Sequence, residues 1–247
     1  MRRRADLVLV ERGFVPSREK ARALIHDGAV VCDRQPVQKP GQLICPEADF
    51  RIDTSGLRWV SRGGLKLEHA LNTFALPSLS GKVCLDLGAS TGGFTDVLLS
   101  YGAAFVYAVD VGHGQLAPHL VKDRRVINLE KTHAKDLSNQ VVTYPLDVVV
   151  CDVSFISVTK ALGPALSLVR PRGWLISLIK PQFEAGRAAL GKRGIVKNPE
   201  DRARAIKMVS AFLESKMGWQ VDAVIDSPIK GADGNHEYLI AAQKPAD

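Results

Sequence analysis

A chain of 247 residues with 46% hydrophobic and 24% charged side chains has the make-up of a soluble globular protein, and excludes collagen-like, low-complexity or disordered classes. No apolar run approaches the roughly 18–20 residues that cross a bilayer, and the apolar stretch 7–10 behind the basic start is too short for a secretory leader, so a cytoplasmic chain without an obligate membrane partner is expected. The net charge of +7 admits an anionic partner and is unevenly spread, with 12 Lys and Arg against 8 Asp and Glu in residues 1–62.

Residues 4–11 carry helical spacing at Leu7 and Val10, broken by Gly13-Phe14-Val15-Pro16. Ser17, set before Lys20 and the apolar Ala21, Leu24 and Ile25, marks a second helix with Ser17 as N-cap and Gly28 as its end. A strand begins at 29–32, Asp33-Arg34-Gln35-Pro36 forms a turn, and short strand-like runs reach Ile52. Residues 54–61 read as a linker, so 1–60 is expected to be a small first domain and 62–247 a second. Arg2, Arg3, Arg4, Arg18, Lys20 and Arg22 form a candidate cationic face, which charge alone leaves open to being an ordinary solvated surface. Residues 4–40, with Gly13-Phe14-Val15-Pro16-Ser17-Arg18-Glu19-Lys20-Ala21 and Ile25-His26-Asp27-Gly28-Ala29-Val30-Val31, resemble an S4 RNA-binding domain. The resemblance implies that this face meets RNA phosphates and structured RNA shape.

Beyond the linker, Gly63-Gly64 precedes an amphipathic helix carrying Leu65, Leu67, Ala70, Leu71 and Phe74, ended by Pro77. Lys66 falls in its first turn, ordinarily a solvated position. Apolar strand runs follow at 83–87, 105–109, 126–129 and 146–152, then a helix to 170 stopped by Pro171-Arg172-Gly173, then a strand at 174–180. A loop rich in Gly and basic residues, 186–197, leads to Pro199, a good first-turn residue for a helix ending at Gly218. That helix has an apolar side of Ala203, Ile206, Val209, Phe212 and Leu213, which a sheet-packing helix needs. Runs at 219–225 and 237–242 complete seven strands. The alternation predicts an α/β, Rossmann-like domain with a mostly parallel sheet and a site at the strands' carboxyl ends. Cys84 and Cys151 lie in apolar strands as small hydrophobes, no C-x-x-C pair occurs, and the six histidines form no ligand pattern, so no metal is expected.

The first strand of this domain runs into Gly88-Ala89-Ser90-Thr91-Gly92-Gly93, and Asp110 ends the second strand 22 residues past Gly88. Glycines let the backbone approach a ligand, and the distal acid can hold a ribose diol. A dinucleotide turn would carry its central glycine where Ser90 stands. The turn with Asp86, Asp110 and Val111 instead resembles the S-adenosylmethionine site of class I methyltransferases. Cofactor contacts are therefore expected at Asp86, Gly88, Ala89, Ser90, Thr91, Gly92, Gly93, Asp110, Val111 and Asp152.

Asp152 and Lys180 end the two longest strand runs beside this turn, Glu237 begins the last strand, and Lys66 precedes the sheet. If the last strand runs antiparallel, its start lies at the same edge. A charge at one strand end is usually the chain reaching water; four converging on one mouth suggest a site. Their contexts, Ser61-Arg62-Gly63-Gly64-Leu65-Lys66-Leu67, Cys151-Asp152-Val153-Ser154-Phe155-Ile156-Ser157, Leu178-Ile179-Lys180-Pro181-Gln182-Phe183-Glu184 and Gly234-Asn235-His236-Glu237-Tyr238-Leu239, resemble those of the K-D-K-E tetrad of FtsJ-like ribose 2′-O-methyltransferases. An S4 module before such a domain resembles the TlyA family throughout the chain. The resemblance implies S-adenosylmethionine-dependent methylation of rRNA cytidines in 30S or 50S ribosomal subunits or both. His113 and His133 stand where relatives carry Tyr and Asn.

A ribose 2′-OH is a weak acid and a weak nucleophile, so its attack on a sulfonium methyl needs help with its proton and its orientation. Lys180 is expected as the base, Asp152 and Glu237 to orient it, and Lys66 to steer the hydroxyl. A small-molecule or NAD enzyme, a membrane-lytic protein (relatives carry haemolysin names) and an RNA-binding protein with a dead enzyme site stay as rival readings. Ser90 with the basic amino-terminal module, the core-packing use of the apolar side of the helix ending at Gly218, and the intact tetrad count against them in turn.

Overall fold

A computed structural model describes residues 2–15, 17–53, 56–191, 194–231 and 234–246, so Pro16, the first two residues of the expected linker (Thr54 and Ser55) and Lys192-Arg193 of the basic loop lie outside the described residues. The chain divides into two compact units, Met1–Arg62 and Gly63–Asp247.

In the first unit, β1 (Arg3–Arg4) leads into α1 (Ala5–Glu11) and α2 (Arg18–His26), followed by β2 (Val30–Cys32), β3 (Gln35–Pro36), β4 (Leu43–Ile44) and β5 (Phe50–Ile52). Ser17 caps α2 by accepting from the Lys20 amide at 3.2 Å. Asp33 and Arg34 both take left-handed φ values, 49° and 63°, the turn that joins β2 to β3. Arg4 is not helical. It pairs with Leu43 in a two-stranded β1–β4 ribbon, so α1 starts one residue later than the periodicity suggested. Leu9, Leu24, Ile25 and Phe50 close a small core between the helices and the β3–β2–β5 sheet. The end of the expected linker is tied down: the Arg62 amide donates to Asp27 Oδ1 (3.1 Å) and its guanidinium to the His26 carbonyl (2.8 Å).

The second unit runs α3 (Gly63–Thr73), β6 (Val83–Leu87), α4 (Gly93–Ser100), β7 (Phe105–Val109), α5 (Pro118–Lys122), β8 (Val126–Leu129), β9 (Leu146–Cys151), α6 (Val158–Ser167), β10 (Val169–Ile179), α7 (Pro181–Glu184), α8 (Pro199–Ala211), β11 (Gln220–Asp226) and β12 (Tyr238–Gln243). Its seven-stranded sheet has the order β11-β12-β10-β9-β6-β7-β8. β12 lies antiparallel between β10 and β11, and the other six strands run in one direction, five of them (β10, β9, β6, β7 and β8) as parallel neighbours. Strands buried on both faces explain the near-continuous apolar runs of β6, β7 and β9. Cys84 and Cys151 sit in these runs, and burial pushes both thiols up to about 12.

Two expectations need correction. The helix expected to reach 170 stops at Ser167, and β10 begins at Val169 with a register shift before Trp174. Arg172 takes φ 62° there, and a Cβ on Gly173 would run into Val169 and the Asp147 carbonyl. On α8, Ala203 is exposed and Ala205 enters the core in its place, while Val209, and Leu213 in the π-helical turn Phe212–Lys216 that follows, are buried as expected. The apolar side of this helix is thus used in packing, and no described helix is long and apolar enough to cross a membrane.

Candidate active site

The parallel strands β6 and β9 bring two loops together at their carboxyl ends. Gly88 follows β6 with φ 88°, and a Cβ there would lie 3.0 Å from the Asp152 carbonyl carbon and oxygen. Only glycine lets the turn pack against the end of β9. Gly92, φ 96°, turns the chain into α4 against Leu116 and Leu120. Ser90 is left-handed as well, φ 47°, and its amide donates to Asp110 Oδ2 at 2.8 Å. Asp110 Oδ1 accepts from the Gly112 amide at 2.7 Å. Asp110 therefore fastens the turn to the end of β7, while each of its oxygens keeps lone-pair capacity for a hydroxyl.

Asp86, inside β6, is fully buried. Its Oδ2 accepts from Thr95 Oγ1 at 2.7 Å and its Oδ1 has no hydrogen-bond partner. Burial pushes its pKa up to about 7, with Asp152 and Asp110 adding to the rise and Thr95 opposing it. Val111 beside Asp110 is 66% exposed, an apolar surface next to the acid. His113 pairs with Glu130 at 3.1 Å, and His133 caps the short helical turn at Ala134–Asp136. Glu130 also accepts from the Gln115 amide at 3.0 Å, which shapes the loop after Asp110.

The four charged residues meet in one chain of contacts. Glu237 Oε2 lies 2.6 Å from Lys66 Nζ, and Lys66 Nζ lies 3.9 Å from Asp152 Oδ2. Asp152 Oδ1 lies 2.6 Å from Lys180 Nζ, which also donates to Ser154 Oγ at 2.8 Å and weakly to the Asp152 carbonyl at 3.4 Å. Lys66, Lys180 and Glu237 are buried, and two ammoniums offset two carboxylates. Burial alone would raise Asp152, but Lys180 and Lys66 outweigh it and hold the carboxyl below the ordinary range. Lys66 is buried where helix position alone suggested solvent, because α3 turns this side inward.

One assignment changes. Glu237 was expected to orient Lys180, yet it holds Lys66. The ladder pairs Ile179 with Tyr238, so Glu237 and Lys180 leave adjacent strands side by side. Lys66 takes the Glu237 carboxylate and Lys180 takes Asp152.

Several contributors were not singled out from the sequence, although Asn235, Glu184 and Ser157 stand within the stretches around the tetrad. A Cβ on Gly231 would collide with the Glu237 carboxylate, so this glycine leaves room for it. Asn235, buried, accepts from the Val196 amide (3.0 Å) and donates to the Gly194 carbonyl (3.1 Å), tying the basic loop to the residues before Glu237. Glu184 accepts from Ser157 Oγ (2.5 Å) and the Val158 amide (2.8 Å), and burial raises its pKa. The loop between Asp152 and α6 is thereby fastened at Ser154 and at Ser157. Between those points Phe155 stands 81% exposed with φ 66°, its ring 5.4 Å from that of Phe183. A bulky side chain held left-handed and facing solvent is a costly arrangement that only its surroundings maintain. By contrast, a cavity of about 140 Å³ lined by Leu76, Lys82, Asp147, Arg172 and Trp174 lies at the opposite, amino end of the strands, away from these groups.

In the first unit the expected cationic face divides. Arg18 and Arg22, four residues apart on α2, join Arg4 around Asp6. Lys20, two residues from Arg18 and so on another side of the helix, is half-buried, and burial lowers its pKa with Asp27 opposing. Arg3 pairs with Glu11 at 2.6 Å and Arg2 is exposed.

The S4 domain family model matches residues 3–50 and the FtsJ-like methyltransferase model residues 59–244. The chain is 41% identical over 247 residues to the 16S/23S rRNA (cytidine-2′-O)-methyltransferase TlyA of Mycobacterium tuberculosis, covering 100% of this chain and 91% of that one. It is 39% identical over 237 residues to Hemolysin A of Brachyspira hyodysenteriae, covering 96% and 98% respectively. A solved structure bearing a hemolysin name, from Streptococcus thermophilus, superposes with a TM-score of 0.76 at 37% identity over 99% of this chain and 89% of that one. With both domain types in this order and identity extending over the whole chain, it belongs to the FtsJ-like methyltransferase family, in the S4-bearing TlyA branch.

Proposed function

We propose that the chain methylates the ribose 2′-hydroxyl of cytidines in rRNA of the 30S or 50S subunit or both, using S-adenosylmethionine. The observation that carries this reading is the neutral tetrad of Lys66, Asp152, Lys180 and Glu237 assembled beside the Gly-rich turn. The residues of that turn fit the cofactor. Gly88 and Gly92 give the turn its left-handed shape, Asp110 retains acceptor capacity for a ribose diol, Val111 offers an apolar face, and Asp86 Oδ1 is an unpartnered acceptor below the turn. When bound, S-adenosylmethionine supplies an electrophilic methyl on a positively charged sulfur.

Lys180, in its neutral amine form, would take the proton of the 2′-hydroxyl as that oxygen attacks. Its three oxygen neighbours, Asp152 Oδ1, Ser154 Oγ and the Asp152 carbonyl, fix the direction in which the amine points. Lys66, held by Glu237, steers the hydroxyl oxygen. Phe155 offers a face on which the base of a nucleotide drawn out of its stack can rest. The membrane-lytic reading loses its one sequence element, since the apolar side of α8 is packed in the core.

Incubation with methyl-labelled cofactor and separate 30S and 50S subunits, followed by mapping of the label, tests this function. Label is expected on cytidine 2′-oxygens; label on a base, or on neither subunit, would overturn it.

A further inference from the structure

The arginines of the first unit are organised by a single acid. Asp6, in the first turn of α1, is 0% exposed, and three guanidiniums converge on it. Arg4 is bidentate, with Nε donating to Oδ1 at 2.9 Å and Nη2 to Oδ2 at 3.0 Å. Arg18 Nη2 donates to Oδ2 at 3.0 Å, and Arg22 Nε lies 3.7 Å from the same oxygen. The arginines remain 42%, 52% and 48% exposed, so each stays open to solvent while it holds the buried acid. Burial pushes the Asp6 carboxyl up, but hydrogen bonds from Arg4 and Arg18 outweigh this and bring it down to about 2, so it is ionised at any working pH.

Three cations this close would repel and splay without a central charge, and each long side chain would lose rotamer freedom on binding. The carboxylate has removed much of that loss beforehand. A guanidinium presents five N–H donors in a planar fork, so one or two given inward leave others directed outward.

We infer that Asp6 is a positioning residue that fixes Arg4, Arg18 and Arg22 as a rigid clamp for closely spaced phosphates, the kind that face each other across the narrow major groove of an RNA helix. The cluster carries a net charge of two positive, and other arginines of the unit are spent on the fold: Arg12 donates to the Pro46 and Ala48 carbonyls and Arg3 to Glu11. A double-stranded A-form groove is recognised by shape and phosphate position, which rewards fixed donors over mobile ones. Flexible single strands can adapt to mobile cations and gain less. The inference rests on the RNA-binding reading of this unit.

The sign of one measurement separates positioning from simple charge. Asp6→Asn adds a positive charge, so Coulomb attraction alone predicts tighter binding to every polyanion. A clamp predicts that the full chain carrying Asp6→Asn binds a blunt RNA duplex about tenfold more weakly than wild type, while its affinity for poly(U) is unchanged or higher. Arg18→Lys keeps the charge and loses the fork; it should weaken duplex binding at least threefold and leave poly(U) binding and the salt slope unaltered. This second variant decides the matter even where Asp6→Asn fails to fold. Duplex binding by Asp6→Asn that is equal to or tighter than wild type, or by Arg18→Lys that is unchanged, would overturn the clamp. Wild-type protein that binds neither RNA would remove the RNA reading and the clamp together, an outcome distinct from loss of the duplex preference alone.

Discussion

Replacing Asp86 by Asn should change how stability depends on pH. The carboxyl is fully buried, with one oxygen hydrogen-bonded to Thr95 and the other unpartnered. Its pKa is raised from 3.8 to about 7, chiefly by burial. A group whose folded pKa exceeds its unfolded value binds its proton more tightly in the native state, so its contribution is full below pH 3.8 and is lost as pH rises towards 7. At about 1.4 kcal/mol per unit the limiting loss is roughly 4 kcal/mol, and relaxation around the charge lowers the expected figure to about 2–4 kcal/mol. Asn keeps an acceptor for Thr95 and removes the titration, but sets an amide N–H where the unpartnered oxygen was, costing about 1–3 kcal/mol at every pH. The variant should therefore be less stable than wild type below pH 4 and should gain about 1–3 kcal/mol relative to it between pH 5 and pH 8. Urea unfolding followed by circular dichroism at intervals across that range measures the difference, in which other titrating groups cancel. A difference that stays flat from pH 5 to pH 8 would refute the buried-acid reasoning.

Lys180→Ala should lower turnover by about 10²–10⁴-fold while calorimetry shows cofactor affinity within a few-fold of wild type; near-normal turnover would remove Lys180 as the base. Phe155→Gly relieves a left-handed φ and loses a stacking face, so stability should hold or rise by up to about 1 kcal/mol in urea titration. The same variant should lower kcat/KM at least fivefold, as expected for a contact of about 1–3 kcal/mol per base; unchanged kcat/KM would take Phe155 out of substrate contact. Gly231→Ala places a methyl against the Glu237 carboxylate and pushes it off Lys66, so kcat should drop about tenfold with the fold intact by circular dichroism.

The sheet was legible because its central strands are buried on both faces and read as apolar runs set off by glycine and proline. The Gly-rich turn was legible for a similar reason, since Gly88 and Gly92 occupy backbone conformations that other residues rarely adopt. Lys66 could be read only through its neighbours in sequence, because a lysine early in a helix is locally a surface residue and only α3's packing buries it. The partner of Glu237 was beyond sequence reasoning: ladder register sets Glu237 beside Lys180, and a helix more than 170 residues earlier supplies the amine it holds. Arg18, Lys20 and Arg22 illustrate the opposite case, since helical geometry at 100° per residue already separates the second from the other two. Asp6 left no pattern, as one acid in a seven-residue helix has nothing to repeat with.

The two fastenings of the Asp152–Ser157 loop bear on which nucleotides the enzyme can reach. Ser154 is held from Lys180 and Ser157 from Glu184, so this rim is braced on both sides of Phe155 by residues of one short segment. A braced rim does not swing aside to admit a paired, stacked nucleotide. The work of access then falls on the RNA, which has to present a ribose already free to rotate outward. Cytidines in loops, at helix ends or next to mismatches offer that freedom at least cost, and local RNA deformability becomes part of target choice alongside base identity.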